Sequence, residues 1–108
     1  MSEIFNLFTT LDYKENSISS KTLVEKGGGS ITLYAFDKAQ GLGKHSSPSV
    51  TIIQLVEGKA EITIDGQTTL VRDGDILSVQ VDVPFSLHAI HKVKALISRI
   101  NAAAKKSE

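Results

Sequence analysis

The fold is decided by Val50-Thr51-Ile52-Ile53-Gln54-Leu55-Val56-Glu57-Gly58-Lys59-Ala60-Glu61-Ile62-Thr63-Ile64-Asp65-Gly66. Residues 50–56 are apolar except for Thr51 and Gln54, which predicts a strand covered on both faces. Glu57-Gly58 turns the chain. The next segment alternates, with Ala60, Ile62 and Ile64 inward and Glu61, Thr63 and Asp65 outward. Asp65-Gly66 is a strong hairpin signal, because both residues tolerate the positive φ that a tight hairpin turn needs.

Working outward, residues 67–72 make the return strand, Asp73-Gly74-Asp75 a second turn, and residues 76–81 the next strand. Pro84 breaks pairing, and residues 86–90 and 94–100 give two more strands. Upstream, Ser30 to Asp37 alternates Ile31, Leu33 and Ala35 with Thr32, Tyr34 and Phe36, a half-buried strand. Residues 18–24 form a first strand, joined to it through Gly27-Gly28-Gly29. These glycines do not make a phosphate loop, because neither the lysine and hydroxyl residue nor the helix of such a loop follows. Residues 38–44, with Gly41 and Gly43, read as a loop that delivers His45. Residues 4–13 carry Phe5, Leu7, Phe8, Leu11 and Tyr13 at a spacing that suits a short helix or an irregular arm.

Eight or nine short strands, glycine turns and at most one helix point to a β-sandwich or barrel, and the lack of βαβ alternation argues against a doubly wound nucleotide fold. The expected organisation is an N-terminal arm over residues 1–17, a barrel over 18–101, and a frayed or helical tail over 102–108. With 108 residues, a single domain is expected. Twelve basic and twelve acidic residues give a formal net charge of zero, so no overall field recruits nucleic acid or an anionic membrane. Zero cysteines exclude disulfides and thiolate chemistry and suit a reducing cytoplasm. No apolar run approaches bilayer-spanning length, so a soluble, unprocessed cytoplasmic protein is expected.

Residues 41–100 resemble the cupin superfamily, the small single-domain barrels built as a double-stranded β-helix. The resemblance lies in Gly41 and His45 before a strand, the phrase from Gln54 to Gly66, the Gly74-Asp75-Ile76 turn, and Val83-Pro84 opening the last hairpin. It implies an all-β jelly-roll barrel, here with a short N-terminal arm or helix. In metal-binding cupins three histidines and a glutamate hold a divalent ion inside the barrel. Anchored on Gly58 and His45, this sequence puts Thr51 at the glutamate position and Ser47 at the second histidine. Anchored on Gly74, it puts Gln80, Asp82, Phe85 and Ala89 at the proline, glycine, third histidine and asparagine of the second motif.

Only His45 keeps a ligand position, and a transition metal needs three or more nitrogen, oxygen or sulfur ligands at about 2.0–2.3 Å. No metal and no other cofactor is therefore expected. His88 lies an odd number of residues from Phe85 and so faces the other side of the strand; His91 is too far along it. His45 is a partly buried histidine bonded to a hydroxyl or backbone group, or else a pocket-lining base. No carboxylate at matching spacing orients it, which removes a Ser-His-Asp hydrolase. Asp73, Asp75 and Asp82 are turn residues whose side chains cap backbone.

The expected ligand pocket comprises His45, Ser47, Thr51, Phe85, Tyr34, Ile52 and Leu77; catalytic residues are not identified. Three functions are open. The first is a non-catalytic barrel binding a small organic molecule. The second is a metal-independent isomerase or epimerase acting on a sugar or keto acid through His45. The third is a structural or regulatory dimer whose barrel is filled. Pairing as a homodimer is expected through strand edges, with the arm as a swapped or packed cover.

Overall fold

The computed structural model describes residues 3–101, so the 102–108 tail expected from the sequence lies outside the described residues. Among the described residues there are nine strands and no helix: β1 Ile18–Lys26, β2 Gly29–Phe36, β3 Gly41–His45, β4 Ser49–Glu57, β5 Lys59–Ile64, β6 Gln67–Arg72, β7 Ile76–Val79, β8 Phe85–Ala89 and β9 Val93–Asn101. They form two antiparallel sheets, β1-β2-β9-β4-β7 and β3-β8-β5-β6, the jelly-roll arrangement.

Local chemistry accounts for the turns. Asp65 and Gly66 have φ of 50° and 85° and close a two-residue hairpin between β5 and β6. Gly58 has φ of 112°, which lets the chain leave one sheet at Glu57 and enter the other at Lys59. Gly27-Gly28 connects β1 to β2, and their carbonyls accept hydrogen bonds from Asn101 at the end of β9.

Side chains alternate across each sheet, so the register assigns the faces. On the five-stranded sheet Phe36, Val93, Ala95, Ile97, Ile53, Leu55 and Val79 point inward. They meet Ala60, Ile62, Val71, Phe85, Leu87 and Ala89 of the four-stranded sheet in one core.

One expectation needs correction. Residues 41–45 are strand β3 rather than loop, paired with β8. Gly41 makes this possible: a Cβ there would stand 2.0 Å from the Leu87 carbonyl oxygen, so only glycine allows the close approach. Of the short helix or arm expected at the N-terminus, the described residues make the arm. The Asn6 carboxamide oxygen accepts the N–H groups of Phe8 and Thr9, an Asx turn that ends after one turn of chain.

The arm lies across the outer face of the five-stranded sheet. Lys94 sits on that face yet is only 4% exposed. Its Nζ donates to the Phe8 carbonyl and stands 5.1 Å from the centre of the Tyr13 ring. Tyr13 in turn donates its phenol to Glu57 Oε2 at 2.7 Å, fixing the arm to the end of β4. Leu33 and Ala35, on the same outer face, are fully buried.

Candidate binding site at the barrel mouth

The barrel has two ends. The chain passes between sheets at Glu57-Gly58-Lys59, so the start of β4, the end of β5 and the end of β3 all gather at the opposite end. At that mouth β3 and β8 pair His45 with Phe85, and β5 pairs Ile64 with Phe85. Facing them from the other sheet, Thr51 pairs with Val79 on one side and Arg99 on the other.

His45 and Phe85 are in ring contact, with centroids 4.5 Å apart and planes tilted by 52°. Phe85 belongs to the core and is nearly fully buried, while His45 is half-buried above it. The His45 Nδ1 lies 2.8 Å from the Gly43 carbonyl oxygen. A carbonyl can only accept, so Nδ1 carries the hydrogen, and in the neutral ring Nε2 holds the free lone pair. The partner of His45 is thus backbone, one of the two arrangements expected for it. Gly43, exposed in the middle of β3, supplies that carbonyl, and so the tautomer is set locally.

The structure brings only some of the expected pocket residues together. Thr51 is 1% exposed and turned into the barrel, level with Arg99. Leu77 pairs with Ile53 and packs against the core. Ser47 stands at the rim, where its Oγ accepts the Ser49 N–H at 3.1 Å. Tyr34 lies deeper: it stacks on Phe36 at 5.6 Å, level with Ala95, and among the described residues it makes no bond to His45. Ile52 is not in the pocket. Its cross-strand neighbours are Ser98 and Ser78, so it points out of the sheet, away from the mouth. The uniform run Val50–Val56 hides which residues face in, and register alone reveals it.

Arg99 is a mouth residue that the sequence reading missed. It follows Val93, Ala95 and Ile97 at period two on β9, so it takes the fourth inward-facing position of that strand, half-buried beside Thr51. The signal was present as this alternation.

A metal of the cupin kind does not fit these residues. Beside His45 stands the Phe85 ring, which cannot ligate, and Arg99 places a fixed positive charge next to Thr51, which disfavours a cation there. Among the described residues no three His, Cys, Asp or Glu side chains gather to hold an ion. His88 is exposed on β8 opposite Glu61 and Gly41, and His91 is exposed beyond it, so neither reaches the mouth.

Residues 28–103 match the sequence family of the AraC-like ligand binding domain. Solved structures superpose over nearly the whole chain. A conserved protein of unknown function from Streptococcus pyogenes is 29% identical, with a TM-score of 0.87 over 94% of this chain and 89% of that one. A cupin superfamily protein from Desulfitobacterium hafniense, 20% identical, gives a TM-score of 0.87 over 94% and 93% of the two chains. The salicylate 1,2-dioxygenase of Pseudoaminobacter salicylatoxidans shares the fold at 18% identity and a TM-score of 0.72, over 77% of this chain and 26% of that one. No curated protein matches the sequence. No helix among the described residues is long and apolar enough to cross a membrane.

Proposed function

The chain belongs to the family of AraC-like ligand-binding domains and is a small cupin-superfamily protein, and from that membership we propose that it is a non-catalytic module holding a small organic ligand at the barrel mouth. The observation that carries this reading is the pinned ring of His45. With Nδ1–H committed to the Gly43 carbonyl, Nε2 is a ready acceptor for a ligand hydroxyl or amide. Phe85 gives the ligand an apolar floor, Thr51 a hydroxyl, and Arg99 a cation for a carboxylate or other anionic group. Ser47 and Leu77 border this group; Tyr34 supports it from below.

Catalysis by His45 has less support, because among the described residues no second acid or base is bonded to it. A filled barrel with a purely structural role keeps one specific observation, the burial of Phe85 in the core. The two readings separate in a thermal-shift screen of small carboxylic acids and polyols, read against His45→Ala and His91→Ala. A binding module gives a compound that raises the melting temperature of wild type and His91→Ala but not of His45→Ala. Failure of every compound, or equal shifts in all three proteins, removes the mouth pocket.

The balanced charge supports self-association, since two copies do not repel each other, and the protein is read as a cytoplasmic homodimer without nucleic-acid or membrane partners.

A further inference from the structure

Three turns gather at the end of the barrel away from the mouth. The Gly58 N–H donates to Asp73 Oδ1 at 2.9 Å, which ties the β4–β5 turn to the β6–β7 turn. The N–H groups of Ile90 and His91 donate to the Lys59 carbonyl at 2.9 and 3.1 Å, which ties in the β8–β9 turn. These bonds frame a hollow of about 290 Å³ bordered by Gly58, Lys59, Arg72, Asp73 and His91. Lys59 and Arg72 are directly paired across the β5–β6 ladder. Both side chains stand on the outer face of the four-stranded sheet, since their neighbours Ala60 and Val71 are buried in the core. Two cations directly opposite each other on one face repel. The nearby carboxylates are turned elsewhere: Asp73 Oδ1 to Gly58, Asp75 Oδ2 to the Arg72 backbone N–H at 2.9 Å, and Glu57 Oε2 to the Tyr13 phenol. Among the described residues, neither the Lys59 ammonium nor the Arg72 guanidinium has a side-chain partner.

We propose that this hollow binds a small phosphate monoester carrying a hydroxyl group, with the phosphate bridging Lys59 and Arg72. Charge decides the class. A monoester phosphate carries about −1.5 to −2 at neutral pH, which matches two fixed cations, whereas a carboxylate leaves one of them uncompensated. Arg72 offers a fork of N–H donors to two phosphate oxygens, and Lys59 a point charge. Asp73 has one oxygen committed to Gly58; its Oδ2 accepts the hydroxyl of the ligand. The hollow has the volume of about ten water molecules, enough for a phosphate and a few carbon atoms. Its walls are set by bonds to backbone groups, so little ordering is needed when the ligand arrives. The site is separate from the mouth and does not depend on the ligand proposed there.

Amide chemical shifts of the full chain, titrated with glycerol 2-phosphate at constant ionic strength, test it. Saturable shifts are expected at Gly58, Lys59, Arg72, Asp73 and His91. Arg72→Gln and Lys59→Gln should each weaken binding about tenfold. Neither should lower the melting temperature in the absence of the ester, because each relieves the opposed cations. Lys26→Gln, at the mouth end of β1 where Gly29 and Ile100 pair, should bind as the wild type does. Methyl phosphate, which lacks the hydroxyl, should bind several-fold more weakly. Shifts that do not saturate, or equal affinity in all four proteins, overturn the site. So do shifts confined to residues 43–51 and 99, which would put the phosphate on Arg99 at the mouth. Methyl phosphate bound as tightly as the glycerol ester overturns the choice of a hydroxylated ligand.

Discussion

The rings of His45 and Phe85 meet at 4.5 Å across the β3–β8 pair. One ring can ligate a metal ion and the other cannot, and the Phe85 ring makes an aromatic floor beside His45. Phe85→His supplies the missing imidazole beside His45. Nickel or zinc affinity is expected to rise in titration calorimetry, while the lost apolar burial lowers stability by about 3 kcal/mol. Unchanged metal affinity would show that residue 85 does not occupy the ligand position.

The arm depends on Tyr13. Burial first, then the hydrogen bond and charge of Glu57 and the charge of Asp73, push the phenol pKa well up. Its folded value exceeds the unfolded one, about 10, so its contribution is complete below that pH and is lost as the pH rises further. Tyr13→Phe removes the bond to Glu57 and should cost about 1 kcal/mol. Faster hydrogen exchange at the amides of residues 33–35, which lie on the face beneath the arm, is the expected readout; unchanged exchange would mean the arm is held elsewhere.

Acid should loosen the junction between arm and barrel. The Asp37 carboxylate accepts the Asn16 N–H at 2.7 Å and the Lys38 N–H at 2.9 Å, and those two bonds, with Lys92 nearby, hold its pKa below the usual range. The contribution is present above the unfolded value of about 3.9 and vanishes as the pH falls through the lower folded value. Asp37→Asn is expected to flatten the fall in melting temperature below about pH 4; an equally steep fall in that variant would assign it to other carboxylates.

Gly58 tolerates no side chain. At φ of 112°, a Cβ would lie 2.2 Å from the Lys92 carbonyl oxygen and 2.8 Å from the Val93 Cα. Both neighbours are backbone and cannot swing aside, so Gly58→Ala should destabilise the fold by about 3 kcal/mol in urea titration. Gly66→Ala also has positive φ but meets nothing within 4 Å, and its cost should be near 1 kcal/mol.

The sequence by itself determined the strands and turns, because period-two alternation in Lys59–Ile64 and the left-handed pair Asp65-Gly66 are local properties of the chain. It also put forward His45, Ser47, Thr51 and Phe85 as the residues to look for at the barrel mouth. Tertiary structure alone decided the rest. Gly41–His45 becomes a strand only because β8 offers an edge that a glycine can approach. Ile52 faces outward because register with Ser98 and Ser78, invisible in a continuous apolar run, fixes its side of the sheet. Lys94 is buried because an arm some eighty residues earlier in the chain folds over it. Each of these depends on contacts between segments distant in sequence, and no local pattern encodes which distant segment will arrive.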